Sequence, residues 1–294
     1  MIDLLHIGGA PAYTFLLYLF SEHKDNQELL KNAINFLIKY FVRRNLTDIP
    51  ATRDLDTIFI GLVDFCEMNK KQLSIRIIME YLMNQDRFSN LNLFEEKLTG
   101  NIYEENADVV RFILCKIEET HQTKEIFSDL WMKDEKNKFV WTIEHVFPEG
   151  DNIPKKWIEM IASGNRDEAE IIKEKWVHKL GNLTLTGYNQ NLSNLSFEEK
   201  KERKDHNGKD IGYRNGLYLN RDIVDEINWT ENHIRNRTRK LVDEAINLFK
   251  TDNEGKNITS SIEKKDDEIN TKKKSKKIIE YIPLIDDNNS IQNK

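Results

Sequence analysis

The sequence predicts a mainly α-helical protein with one small α+β core in its second half. Three observations predict it. Apolar residues recur at three- and four-residue intervals through the first 130 residues. Two short runs, Phe139 to Ile143 and Leu183 to Thr186, break that period with β-branched and aromatic residues or alternation. Only 5 Pro and 12 Gly stand among 294 residues, which leaves helices few interruptions. A hydrophobic fraction of 39% is enough for a sizeable core, and 32% charged residues give a highly charged surface. Together they exclude a wholly disordered chain, a collagen-like fibre and a membrane channel.

In the first 130 residues, Leu29, Leu30, Ala33, Ile34, Leu37, Ile38 and Phe41 form one apolar stripe, which runs into the cations Arg43 and Arg44 at a helix C-terminus. Asp54 to Met68, Leu73 to Met83 and Val109 to Ile117 repeat the pattern. Residues 1–130 therefore read as a helical scaffold domain. Residues 131–250 read as a second domain: a strand at 139–143 with Glu144-His145 at its end, helices around Trp157 and over 167–177, and a second strand at 183–186. Ser196 with Glu199 marks a capping box opening the next helix, and Thr230 caps an amphipathic helix over 229–250. Trp141, Trp157, Trp176 and Trp229 are expected in the core. Residues 251–294 are a charged tail expected to be disordered, interrupted by an apolar island at 278–285.

The net charge of −6 means that any nucleic-acid contact comes from a local basic face. Cys66 and Cys115 sit in apolar helical patterns and read as reduced core residues of a cytoplasmic protein, not as a disulfide or zinc framework. The apolar stretch from Ala10 to Phe20 is far short of the ~20 residues a bilayer requires.

The chemistry concentrates where the strands are. His145 closes the first strand, Asn182 lies beside the second, and Asn189, Asn191 and Asn194 lead into a helix. Strand, loop, strand and helix with His, Asn and a third polar ligand form the ββα-metal (HNH) nuclease layout. Phosphodiester hydrolysis needs a base, a divalent cation and a rigid frame at one point. An imidazole suits the base role near pH 7, and carboxylate and amide oxygens suit Mg²⁺ or Mn²⁺.

The runs Thr142-Ile143-Glu144-His145-Val146-Phe147-Pro148, His178-Lys179-Leu180-Gly181-Asn182-Leu183-Thr184-Leu185-Thr186-Gly187-Tyr188-Asn189 and Leu192-Ser193-Asn194-Leu195-Ser196-Phe197-Glu198-Glu199-Lys200 closely resemble the C-terminal nuclease domain of GmrSD-type modification-dependent restriction endonucleases. The helical stretch around Tyr40 to Arg44 is similar to the linker that precedes that domain. The resemblance implies a divalent-metal-dependent endodeoxyribonuclease in defence against phage, acting on foreign DNA, modified DNA included. It implies His145 as general base, Glu144 as metal-proximal acid, and Asn182 as the residue that braces the loop and orients the imidazole. The third, metal-binding position falls on Asn189, with Asn191 and Asn194 as neighbours; Asn194 also suits a cap or turn.

His178 either contacts substrate or ties the two strands together. Lys200 and Arg203 face phosphates or lie on a solvated helix face, as does the Arg235, Arg237, Arg239 and Lys240 cluster. Full-length members of that family resemble two-part machines with a ParB-like nucleotide-hydrolysing domain, whose motifs are missing here. The chain is therefore expected to be either a shortened derivative or the nuclease half of a split system, in which case a separate subunit of that kind would dock on residues 1–130. Two other functions compete: a catalytically silent DNA-binding or regulatory relict, and a zinc hydrolase built on His145, His178 and His206. The second is disfavoured because the spacings fit no helical two-histidine motif and thiolate ligands are absent.

Overall fold

The first half is helical because its apolar residues recur at three- and four-residue spacing, and its longest helix is capped at both ends. In the computed structural model, which describes residues 1–251 and 254 apart from 85, 126 and 193, short α1 (Ile2–His6) and α2 (Tyr13–Glu22) lead into the 21-residue α3 (Gln27–Thr47). Asn26 opens α3 by accepting a hydrogen bond from Leu29 N at 3.0 Å, and Asp48 closes it in the left-handed region at φ 55°. Its Leu29, Leu30, Ala33, Phe36, Leu37, Tyr40 and Phe41 are buried. Arg43 is buried as well: its guanidinium lies 4.4 Å from the centre of the Phe88 ring and donates to Ser89 O at 2.6 Å. Then follow α4 (Leu55–Met68), α5 (Ile75–Leu82), α6 (Leu91–Thr99), α7 (Ile102–Glu105) and α8 (Ala107–His121). In α8, Val109, Val110, Phe112, Ile113, Leu114, Cys115 and Ile117 are all buried, the mark of a helix surrounded by others. Cys66 and Cys115 are free and buried, as the sequence suggests.

The second half is built on a two-stranded antiparallel hairpin, β1 (Thr142–His145) against β2 (Leu183–Thr186), in which Thr142 faces Thr186 and His145 faces Leu183. Strand β2 falls where the sequence predicts it. Strand β1 starts three residues and ends two residues later than expected. The reason is that the backbone of 139–141 is occupied elsewhere. Phe139 bridges Lys133, its ring stacks 3.6 Å from the Arg111 guanidinium, and Trp141 O accepts from Arg111 Nε at 3.1 Å.

Around the hairpin lie α9 (Lys155–Ala162), α10 (Arg166–Trp176), α11 (Asn189–Leu192), α12 (Phe197–Lys201), α13 (Arg221–Val224) and the long α14 (Glu231–Phe249). Ser196 and Glu199 form the expected reciprocal capping box, and Thr230 caps α14 with His233 as its partner. Phe147, Trp157, Trp176, Phe197, Trp229 and Ile234 form one apolar cluster, whereas Trp141 is only half-buried. Helix α14 crosses the turn before β2 so closely that a Cβ on Gly181 would come within 2.1 Å of Ile234 O.

Met1–Lys250 form one compact unit. Packing between its halves is direct: the buried Glu118 carboxylate of α8 accepts from Tyr218 N and Leu219 N, both at 2.9 Å. Among the described residues no helix is long and apolar enough to cross a membrane. The expectations for the tail beyond 251, with its apolar island, lie outside the described residues, as does the side chain of Asn191.

Candidate active site

Successive residues of a strand point to opposite faces, so Glu144 and His145 part company at the end of β1. Glu144 turns inward. Its Oε1 accepts from Lys200 Nζ at 2.6 Å and from Tyr213 OH at 3.5 Å, and Lys200 Nζ also donates to His145 O at 2.7 Å. Lys200 is 0% exposed and Glu144 3%. Burial pushes the Glu144 carboxyl up and the Lys200 ammonium down, while their contact opposes both shifts. Two residues expected at metal and phosphate are thus engaged with each other. Lys200 comes from the inner face of α12, where its long stem packs in the core and its head reaches the only carboxylate nearby among the described residues.

His145 turns the other way. Its Nδ1 lies 3.5 Å from Glu149 Oε2, and its ring meets Tyr103 edge-on at 4.6 Å and His178 at 5.4 Å between centroids. Tyr103, from α7, stacks flat on His178 at 5.6 Å, and His178 Nε2 is 3.6 Å from Glu104 Oε1. One donor atom each from His145, Glu149 and His178 lie within 4.8 Å of one another. His145 Nε2 and His178 Nδ1 are both buried without a hydrogen-bond partner in the chain. Burial first, then His178 and Lys200, push the His145 imidazolium down to about 3, so the ring is neutral at physiological pH. Glu149 is half-exposed, at the mouth of the cluster.

Asn182 is fully buried and fully bonded. Its Nδ2 donates to Phe147 O and Val177 O, both at 2.9 Å, and its Oδ1 accepts from Phe147 N at 2.8 Å and Trp229 Nε1 at 3.1 Å. With Val146 N donating to Asn182 O at 2.9 Å, it clamps the chain just beyond His145. Asn189 Nδ2 donates to Ile143 O at 2.7 Å, which pins α11 to β1. Asn194 is exposed, its side chain against Gly150.

Arg203 lies beyond the end of α12 and is exposed. Arg237, from the cluster expected on a phosphate-facing or solvated face, is instead buried and donates to Gly181 O, Leu183 O and Leu219 O at 2.7–2.8 Å. His206 lies in an exposed turn, where Asp205 Oδ1 accepts from Asn207 N. Sequence reasoning missed Glu149, Tyr103 and Glu104. Glu149 carries a weak signal, four residues after His145 in a Pro-Glu-Gly loop. Tyr103 and Glu104 carry none.

The donor set fits a divalent ion: two imidazoles and one carboxylate are sufficient ligands, and His178 Nδ1 is buried without a hydrogen-bond partner. Beside the cluster runs a groove of about 970 Å³ lined by Tyr103, Asp108, Lys138, Ile143, Tyr188 and Asn189. No curated protein matches the chain. The family model of the C-terminal domain of GmrSD restriction endonucleases matches residues 88–244, from just before α6 into α14. That span takes in just over half of the chain and the whole candidate site, and the chain belongs to the family of GmrSD restriction endonuclease C-terminal domains.

Proposed function

We propose that the chain is a divalent-metal-dependent DNA endonuclease of HNH type, the nuclease part of a restriction system that acts on foreign DNA. One observation carries the reading: in a member of a restriction endonuclease family, His145, Glu149 and His178 converge at the end of β1. These three side chains would hold the cation. When bound, the cation supplies Lewis-acid polarisation of phosphate and water.

The chain's own residues do the rest. His145 offers a neutral nitrogen at pH 7, and an imidazole held at about 3 is a ready ligand but a weak general base. The convergence of His145 with Glu149 and His178 supports a ligand role beside the base role that the resemblance implies. Glu104 orients the second imidazole from behind, as a carboxylate bonded to a metal-bound histidine does. Asn182 holds the loop that carries Glu149, and the Glu144–Lys200 pair holds the backbone of His145. The groove beside the cluster suits a nucleic-acid strand, with Tyr103 and Tyr188 as stacking faces and Lys138 for a phosphate. Residues 1–130 serve as scaffold and as the docking region for a nucleotide-hydrolysing partner subunit.

The test is cleavage of plasmid and phage DNA by the purified full chain. Cleavage should need a divalent ion, stop on chelation, and fall at least ~1000-fold in His145→Ala, the size of loss expected when a catalytic metal site is broken. Cleavage that continues unchanged in that variant removes the assignment. DNA binding without cutting under every metal condition would identify a silent relict instead.

A further inference from the structure

The groove beside the cluster shares a wall with a second cavity. Asp108, Arg111 and Phe139 line both, and the second cavity, of about 370 Å³, is bounded by α1, the end of α3, α8 and the chain at 131–139. Its His6 and Asn45 lie outside the residues that the family model matches, so it is built where the first helices meet the segment leading into β1. The turn that carries Phe139 makes this junction basic. Asp134 Oδ1 fixes the turn by accepting from Lys136 N and Lys138 N, both at 2.9 Å, and Lys133 Nζ lies 5.0 Å from the Phe139 ring centre. In a chain of net charge −6, Arg111, Lys133 and Lys138 form the kind of local basic face that nucleic-acid contact requires.

Arg111 is the unusual member of the junction. It is 7% exposed, so its charge is held away from water. Its Nε donates to Trp141 O at 3.1 Å and its Nη2 to Leu130 O at 2.5 Å, while the guanidinium lies 3.6 Å from the Phe139 ring centre and 4.6 Å from that of Trp131. Those contacts orient the group without neutralising it. Among the described residues no carboxylate pairs with it and Nη1 has no hydrogen-bond partner; Asp108, the carboxylate whose charge it feels, is exposed. A buried cation is ordinarily paired, because only an opposite charge offsets its desolvation. A second, independent observation lies in the same cavity: His6 Nδ1 is buried without a hydrogen-bond partner. The His6 ring lies flat on Trp131 at 3.7 Å, and burial lowers its pKa, so it is neutral at pH 7 and offers one N–H donor.

We propose that Arg111 and His6 form an anion subsite that takes one phosphodiester of a nucleic-acid strand lying in the groove, apart from the His145 cluster. A phosphate oxygen there accepts from Arg111 Nη1 and from the His6 N–H, and it brings the negative charge that the buried guanidinium lacks. A free mononucleotide carries the same phosphate chemistry. The strand is favoured because Arg111 also lines the groove, with Lys138 beside it. The ligand is that of the nuclease reading, on which the proposal rests, but the subsite is measured by binding alone.

The experiment measures, by anisotropy over a range of salt, how the full chain binds a fluorescein-labelled single-stranded oligodeoxynucleotide in EDTA. Arg111→Gln should weaken binding at least ~10-fold and reduce the salt slope by about 0.7, the share of one phosphate contact on a single strand. Arg111→Lys should keep the wild-type slope, because it keeps the charge. An arginine that only staples α8 to the 130–141 segment would leave the slope alike in all three proteins. His6→Ala, in a residue that lines the second cavity and not the groove, should weaken binding without changing the slope, and it decides the matter if neither Arg111 variant folds. Lys209→Gln, in an exposed turn that lines neither cavity, should change nothing. Unchanged affinity in both folded Arg111→Gln and His6→Ala, no binding of the strand by the wild type, or displacement of the strand by equimolar thymidine monophosphate overturns the inference. Metal-dependent cleavage alongside unchanged binding in the variants would leave the nuclease reading intact. Binding lost in the variants, with no cleavage under any metal, would leave the subsite standing and remove that reading.

Discussion

The two faces of β1 carry two polar clusters built on adjacent residues, and they are opposite in kind. Behind the strand, Glu144, Lys200 and Tyr213 are sealed from solvent and bonded to one another. In front, His145, His178 and Glu149 converge with two nitrogens unbonded and a carboxylate at the mouth. The closed cluster holds the strand's backbone through His145 O, and the open one has bonding capacity left for something else. A buried polar group that is satisfied is structural; one that is left unsatisfied in a formed cavity is a candidate for function. The difference teaches that adjacency in sequence is no guide to shared chemistry at a strand end, since one step along the chain crosses the sheet.

The sharpest way to break this contrast is to attack the closed side. Lys200→Met removes the partner of a buried carboxylate and should cost about 3–5 kcal/mol of stability, measured as a shift of the urea midpoint. Adding Glu144→Leu should recover most of that loss, because the uncompensated charge goes too. If Lys200→Met is neutral for stability but abolishes DNA binding, the ammonium faces phosphate and the two faces are not different in kind.

The open side should respond to acid. The folded protein holds His145 at about 3, whereas the unfolded chain protonates it near 6.5. The unfolded state therefore binds the extra proton between those values, so this contribution to stability is complete above 6.5 and declines as pH falls toward 3. Between pH 7 and pH 5 the loss from this one group is about 2 kcal/mol. His145→Gln should lack that component of the pH slope. An identical slope in wild type and variant would mean that the ring is protonated in the folded state.

The smallest effect is expected at Glu104, which touches the open cluster from outside. Glu104→Ala should weaken metal binding by about 10-fold, near the low end for a residue that orients a bound histidine, and leave the melting temperature unchanged. A loss of stability with no change in metal binding would make Glu104 part of the framework instead.

Much of the framework is legible in the chain itself. Strand β2, the Ser196–Glu199 box, the Thr230 cap and the stripes of α3, α4 and α8 all follow from local rules of period and capping. The start of β1 is not local. It is set by Arg111 and Lys133, which occupy the residues that a propensity argument assigns to the strand. The site is legible in part. His145 and His178 stand out in the sequence, but they meet through a strand end and a loop, not on one helix where spacing would reveal them. Tyr103 and Glu104, which close over His178, come from the helical half.

The sequence by itself determined the helical class, the hairpin, the caps and the family, because each depends on neighbours within a few residues or on a contiguous run. Only the tertiary structure decided that Lys200 and Arg237 are internal supports, that Glu144 is neutralised behind the strand, and that Glu149 joins two histidines in front of it. The physical reason is that a polar side chain takes its role from the partners and the burial it meets, and long-range packing supplies both.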